Sequence, residues 1–532
     1  MSEKDLVDIQ VDQILDHEDE RLRQLGIRRE LRKEFSNFST ISFAICIMGV
    51  AATLTATFNT PIILGGRAVA IWSWLMGSFG CIAIAVSVAE LVSAYPTSGG
   101  LYTCTAFVVP ARYRASVTFV TAWITFLGQL SGMASTNFAL SQMIFATVTI
   151  VRDGAFVASN SQILGLFIAL NVAFGVLNST TTRMLHRVSI IYVYINIFTT
   201  MALTLAIPIA GRGTLAPSKA VWTGIEDNSG WDNTGFSLLL GLLCVQYVMT
   251  NYDAVAHLSE EIRNAAVSAP VGIVVAVCYA AFFGFFLVVS LCYGIRDPST
   301  LPGPTGLVVA QVLLDNLGKK GGLVLWVCVI INMAAVSTAG QLACIRSIYA
   351  ISRDNVLPDQ KLCSKIYKRT QTPVIAAAVS VIGACFLGLL SLASLVAVNA
   401  VFSVCAIALD LSYAIPIAFK LYITLRGDIE PQFTPGPFYT KRWSLFFNTY
   451  AVLWTILETS VLIMPQVLPI TASTMNYSGP IIIAVSSLSY VWFRLYWHRC
   501  YKAPNSFTQA TSVSDYAIKT NEISADDEDK KA

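Results

Sequence analysis

The chain has 532 residues, of which 55% are hydrophobic and only 13% charged, with a mean hydropathy of +0.63. An ordinary globular protein carries about 25% charged residues, so a soluble enzyme of this composition would expose far too much apolar surface and is excluded. A net charge of +3 and a pI near 8.2 are too balanced for a nucleic-acid partner.

Residues 1–38 are polar and charged, with no apolar core that a signal peptidase would follow, so the first apolar span is an uncleaved anchor. A helix needs about 20 mainly apolar residues to cross a bilayer, and twelve stretches qualify. They lie near 39–64, 69–95, 115–149, 162–182, 188–210, 235–259, 271–295, 322–352, 373–392, 395–425, 443–465 and 478–497. An all-α integral membrane protein is expected, because backbone amides in lipid must find partners within their own segment. Residues 498–532 form a Ser/Thr-rich, acidic tail whose composition cannot bury a core.

Lys and Arg set the orientation. With the N-terminus inside, only Arg67, Arg152, Arg212, Lys219, Arg296, Lys319 and Lys320 fall outside, which leaves 28 of the 35 basic residues inside. Both termini are therefore expected in the cytoplasm. The twelve cysteines sit mainly within apolar runs without CxxC or Cys/His clusters, a pattern of buried thiols that calls for neither metal nor cofactor.

Spans one and six share an oddity. The first carries Ser42, Gly49, Thr53, Thr55 and Thr57, and the sixth reads Gln246-Tyr247-Val248-Met249-Thr250-Asn251-Tyr252-Asp253. Polar groups at bilayer depth face a cavity or a partner. Interruptions at equivalent places in two halves point to a transporter built from inverted repeats. Packing through small and hydroxyl residues explains either span taken singly. Asp253, Asp410 and Glu458 also lie in apolar runs, where each needs a partner, a cavity or a proton.

Three motifs carry a family resemblance. Ala89-Glu90-Leu91 through Tyr95-Pro96-Thr97-Ser98-Gly99-Gly100 closes the second span. Asp253 to Asn264, with Glu260-Glu261, follows the sixth. Arg346 to Asp354, then Leu357-Pro358 and Thr372-Pro373, follows the eighth. Together they resemble the amino acid–polyamine–organocation permeases. The wording Tyr252-Asp253-Ala254, with Ala256-His257 and Ser259-Glu260-Glu261, resembles the fungal GABA permeases of the amino acid/choline branch. Three departures stand out. The glycine-rich first break is reduced to Gly49-Val50-Ala51, Asn251 stands where those permeases carry Asp, and Asn196 stands where some bacterial relatives place a lysine in span five.

The resemblance implies a LeuT-like core over 39–425, five spans (39–210) plus five inverted (235–425), with spans at 443–497 appended. It implies a substrate held between the two breaks by Gly49, Val50, Ala51, Tyr247, Thr250, Asn251, Tyr252 and Asp253, with Tyr247 as an aromatic gate. Asn137 and Asn332 are either wall residues or interhelical hydrogen-bonding groups. Glu260 and Glu261 are either a cytoplasmic gate facing Arg346 and Arg353 or solvated charges. Asp410, inside the core, is the candidate for proton coupling, and Glu458 is expected to be structural or interfacial.

The expected function is secondary, proton-coupled transport of a small amino acid or amine such as GABA. A choline- or thiamine-like cation permease and a non-transporting nutrient sensor on the same scaffold are the alternatives. The expected location is the plasma membrane, with the vacuolar membrane as the alternative. The partners implied are a small-molecule substrate, a coupling ion and the lipid bilayer.

Overall fold

The computed structural model describes residues 35–503 except 181, 368–369, 393–394, 428–432, 472–473 and 502. The two tails expected at the chain ends lie almost wholly outside the described residues. Within them the elements are helices joined by loops, with two isolated bridges, Phe35 to Ile262 and Tyr367 to Thr372. Eleven helices are long and apolar enough to cross a membrane. The protein is a multi-pass helical membrane protein of the five-plus-five class with two added spans.

The twelfth expected span is the sixth, and it is not one helix. It runs as Thr234–Leu240 and Leu242–Val248, leaves the helical path, and resumes as Ala254–His257. The first span is likewise two helices, Asn37–Met48 and Val50–Thr57, hinged at Gly49. The other spans are Asn59–Ala94, Ala111–Val151, Asn160–Asn178, Thr182–Ala210, Ala265–Gly294, Val308–Arg353, Val374–Leu389, Leu395–Arg426, Ser444–Ile463 and Ser478–Leu495.

Two boundaries differ from the apolar windows. The first span ends at Thr57 instead of 64, and the second helix starts at Asn59, turning at Gly66 (φ 80°) before it crosses. The eighth begins at Val308 and turns at Gly318 (φ 68°), which hides a lateral helix ahead of Lys319-Lys320. Hydropathy finds the crossing segment and does not register the glycine turns that set these short helical stretches apart from it. Helices are also graded by position. The most apolar windows of spans one and ten are 89% and 83% buried, against 28% for spans four and twelve. The first pair therefore lines the interior, and the second pair presents its apolar side outward.

A short helix, Leu101–Val108, follows the Ser98-Gly99-Gly100 turn. Gly100 holds φ at 62°, and a Cβ there would stand 2.8 Å from the His257 ring. The glycine thus meets two demands, a left-handed backbone and close approach to the sixth span. Of the cysteines, Cys46, Cys81, Cys244 and Cys405 are buried as expected, whereas Cys278 is exposed on an outward helix face.

Candidate functional site

The two breaks meet at a cavity of about 20 Å³ lined by Met48, Thr53, Tyr247, Thr250, Asn251 and Val336, among others. That volume holds about one water, so the chain is captured with its centre contracted. Two helix ends reach its lining, at Met48 and Val248, and one helix starts just behind the lining, at Val50. As the first residues of a helix, Val50 and Ala51 have amides without acceptors in their own helix. An anion is favoured at that start and a cation at the carbonyl ends.

The first break is narrow. Gly49 alone leaves the helix, with φ 45° and ψ 52°. Its amide still donates to the Ile45 carbonyl at 3.2 Å. The Thr53 hydroxyl donates to the Met48 carbonyl at 2.7 Å, and the Asn196 amide donates to the Ile45 carbonyl at 3.1 Å. Asn196 therefore braces the first break from span five. A Cβ on Gly49 would lie 2.0 Å from Val336 Cγ2. The bare Cα accommodates span eight, in place of the close ligand approach expected for it.

The sixth break is wider. Asn251 adopts φ 62°, which Asn tolerates better than most residues. The Thr250 hydroxyl and Asn251 Oδ1 are buried without hydrogen-bond partners, although both residues line the cavity. Each such group costs about 1–3 kcal/mol until something satisfies it.

Several expected residues sit elsewhere. Val50 and Ala51 are buried in the helix wall behind the lining. Tyr252 is fully buried against the Tyr413 ring at 5.2 Å, away from the cavity lining. Tyr247 and Tyr252 therefore do not stand together at the cavity. Asp253 is turned away as well. Its carboxylate accepts from the Tyr413 hydroxyl at 2.5 Å and the Gln129 amide at 3.3 Å, with His257 Nε2 at 3.3 Å. Asn137 donates to Asn171 at 2.8 Å, the interhelical alternative, and Asn332 is buried away from the cavity.

Tyr247 does line the cavity, with its hydroxyl 2.9 Å from Ser135 and its ring 5.0 Å from Phe402. Phe402 in turn lines a vestibule of about 330 Å³ with Asn59, Thr60, Gln142 and Gln466. The Tyr247–Phe402 pair is the wall between vestibule and cavity.

The opposite end is shut. Arg346 Nε lies 2.7 Å from Glu261, and Arg353 lies 2.9 Å from Glu260, which also accepts from Ser98 at 2.5 Å. Phe35 and Ile262 add a parallel bridge, Phe35 N–H to the Glu261 carbonyl and Arg263 N–H to the Phe35 carbonyl, each at 3.0 Å. Both glutamates are buried, so they are paired charges and not solvated ones.

Other contributors were not singled out in the sequence. Gly132, Thr136, Gly340 and Cys405 complete the cavity wall. Lys420 pairs with Glu90, which also accepts from Thr440 and Ser444 and fastens the segment before span eleven. A lone lysine in an apolar span signalled that pair, since it needs a carboxylate within reach. Gln246, bonded to Asp410 at 3.4 Å, was quoted in the sixth-span run without a role.

Two broken helices around a closed centre, one end locked by ion pairs and the other open as a vestibule, define a membrane permease and not an enzyme. The amino acid permease family model matches residues 35–486. The chain belongs to the amino acid permease family and is a transporter of amino acids. It is 39% identical to an uncharacterised amino-acid permease of Schizosaccharomyces pombe over 90% of this chain and 88% of that one. It is 32% identical to amino-acid permease 2 of Neurospora crassa over 94% and 91%, and 27% identical to the GABA-specific permease of Saccharomyces cerevisiae over 94% and 87%.

Proposed function

We propose that this permease carries a small zwitterionic ω-amino acid such as 4-aminobutyrate (GABA) by alternating access, with proton coupling, across the plasma membrane. The observation that carries the reading is the pair of unsatisfied acceptors, Thr250 Oγ1 and Asn251 Oδ1, facing a cavity that contains no acidic side chain. The substrate carboxylate takes the amides that begin the helix at Val50, within the unit Gly49-Val50-Ala51. An α-amino acid carries both charges on one carbon and satisfies the first break alone. An ω-amino acid separates them and reaches Thr250 and Asn251 with its ammonium. A choline- or thiamine-like cation lacks the carboxylate that would use the amides, and it finds no counter-charge in the cavity lining.

Tyr247 with Phe402 forms the outer gate, and the Glu261–Arg346 and Glu260–Arg353 pairs form the cytoplasmic gate. Asp253 and Tyr252 support the sixth break from behind. Asp410 carries the coupling proton. The ion-paired end faces the cytoplasm, a placement that the distribution of Lys and Arg supports. The GABA-specific relative in yeast supports this substrate class.

Uptake of labelled GABA, alanine and choline into proteoliposomes with an imposed pH gradient tests the reading. GABA should accumulate and the other two should compete weakly. Asn251→Asp, which adds a charge at the ammonium end, should lower the KM for GABA. Accumulation of choline without GABA entry or competition overturns the substrate assignment.

A further inference from the structure

Span eleven lies outside the repeated core, yet it delivers a carboxyl group to the back of the sixth break. Glu458 is fully buried, and among the described residues neither of its oxygens has a hydrogen-bond partner of good geometry, the Trp454 indole of its own helix being the neighbouring donor. What faces it is the carboxyl of Asp410 on span ten. Asp410 is itself buried and accepts a hydrogen bond at 3.4 Å from the Gln246 amide, whose oxygen takes the Cys81 thiol at 2.7 Å.

The surroundings supply no counter-charge. From span six come Asp253, already held by Tyr413, Gln129 and His257, and the Tyr252 hydroxyl, which is buried without a partner. Span two contributes Cys81, span ten Cys405 and Tyr413, and span eleven the Trp454 indole. Lys420 also lies on span ten, about 15 Å along the axis at 1.5 Å per residue, and is taken by Glu90. Two carboxylates in contact in such a site cannot both be ionised, because burial and mutual repulsion both oppose the second charge. One proton between them turns two facing acceptors into a donor and an acceptor, as in other carboxyl dyads.

We propose that Asp410 and Glu458 form a single proton-binding site, sharing one proton that Gln246 reports to the sixth-span half-helix. The proposal rests on the proton-coupled reading above and assigns half of the carrier to an appended span. When the proton is present, the pair is a closed hydrogen bond and Gln246 donates to Asp410. When it leaves to water, the two carboxylates repel. Asp410 then draws on Gln246 more strongly, and that side chain belongs to the helix whose carbonyl end borders the substrate cavity. The shared proton is thereby linked to the state of the break.

The test uses the full-length protein in proteoliposomes, with a trapped pH dye and labelled GABA. Glu458→Gln and Asp410→Asn each put a permanent amide donor in place of the shared proton. Each should abolish substrate-driven proton movement and lower concentrative uptake at least about tenfold, with counterflow exchange falling less. Wild-type proton movement by Glu458→Gln overturns the proposal. Should the unaltered protein move no protons with any transported substrate, the coupling reading itself fails, and melting temperature then decides the pair. The unaltered protein should melt lower as pH rises from about 6 to about 9, because loss of the proton leaves two repelling charges, and both amide variants should lose that slope. Identical slopes in all three overturn the shared site.

Discussion

The two helix breaks look alike in sequence and differ in the fold. The first leaves the helical path at one residue, and its carbonyls are answered by Thr53 and Asn196. The sixth leaves it from Met249 to Asp253 and keeps two acceptors unanswered at the cavity. The carbonyl side of the first break is therefore held by the protein, and the second break is completed by whatever enters. A pivot must keep its shape through a transport cycle, whereas a binding segment gains affinity from groups that have no other partner.

The largest expected effect is at Gly49. Leucine there would need a left-handed backbone and would run into Val336 at 2.0 Å. We expect Gly49→Leu to lose the folded protein, seen as absence of a monodisperse peak in size-exclusion chromatography. A well-folded but inactive variant would return Gly49 to the role of ligand approach. Gly340 makes the contrasting case. It lines the cavity, and a Cβ there meets nothing within 4 Å. Gly340→Val should fold normally and lower uptake at least about tenfold by filling the contracted centre. Full uptake would place the substrate elsewhere.

A paired measurement sharpens the contrast further. Thr250→Val should raise the KM for GABA by about tenfold, the size of one lost hydrogen bond to a charged group, and should leave the melting temperature nearly unchanged. Asn196→Ala should do the reverse, costing about 1–3 kcal/mol of stability by removing its hydrogen bonds to the Ile45 carbonyl and to the Thr200 and Tyr279 hydroxyls, with KM little altered. If both substitutions act mainly on KM, the carbonyl side of the first break also belongs to the binding segment. The smallest effect is expected at Thr53→Val, about 1 kcal/mol in thermal unfolding, because Met48 loses a single hydrogen bond.

The locked end follows the same logic with charges. Glu261 and Arg346 were legible as residues with opposite sign on adjoining segments, but their pairing required the eighth and sixth spans to pack. Removing one member of a buried pair leaves the other uncompensated, at about 3–5 kcal/mol. That is why this end stays shut while the vestibule stands open beyond Tyr247 and Phe402. Phe402 itself carried no signal in the sequence, being one aromatic among the apolar residues of span ten.

By itself, the sequence determined that this chain is a helical membrane protein, where its helices cross, and which two of them break. Hydropathy and out-of-place polar residues are local properties, and the bilayer leaves a helix few alternatives. The motif glycines, Glu90 and the Glu260-Glu261 pair were visible for the same reason. What the tertiary structure alone decided is which side chains meet. Asp253 and Tyr252 adjoin the sixth break in sequence, yet the helix resumes with them turned toward Tyr413. Glu458 lies 205 positions from Asp253 and outside the repeated core, yet packing of span eleven sets it against Asp410. A direction around a helix axis is fixed by neighbours and not by the residue's own chemistry, so contact across spans is settled only when the bundle has closed.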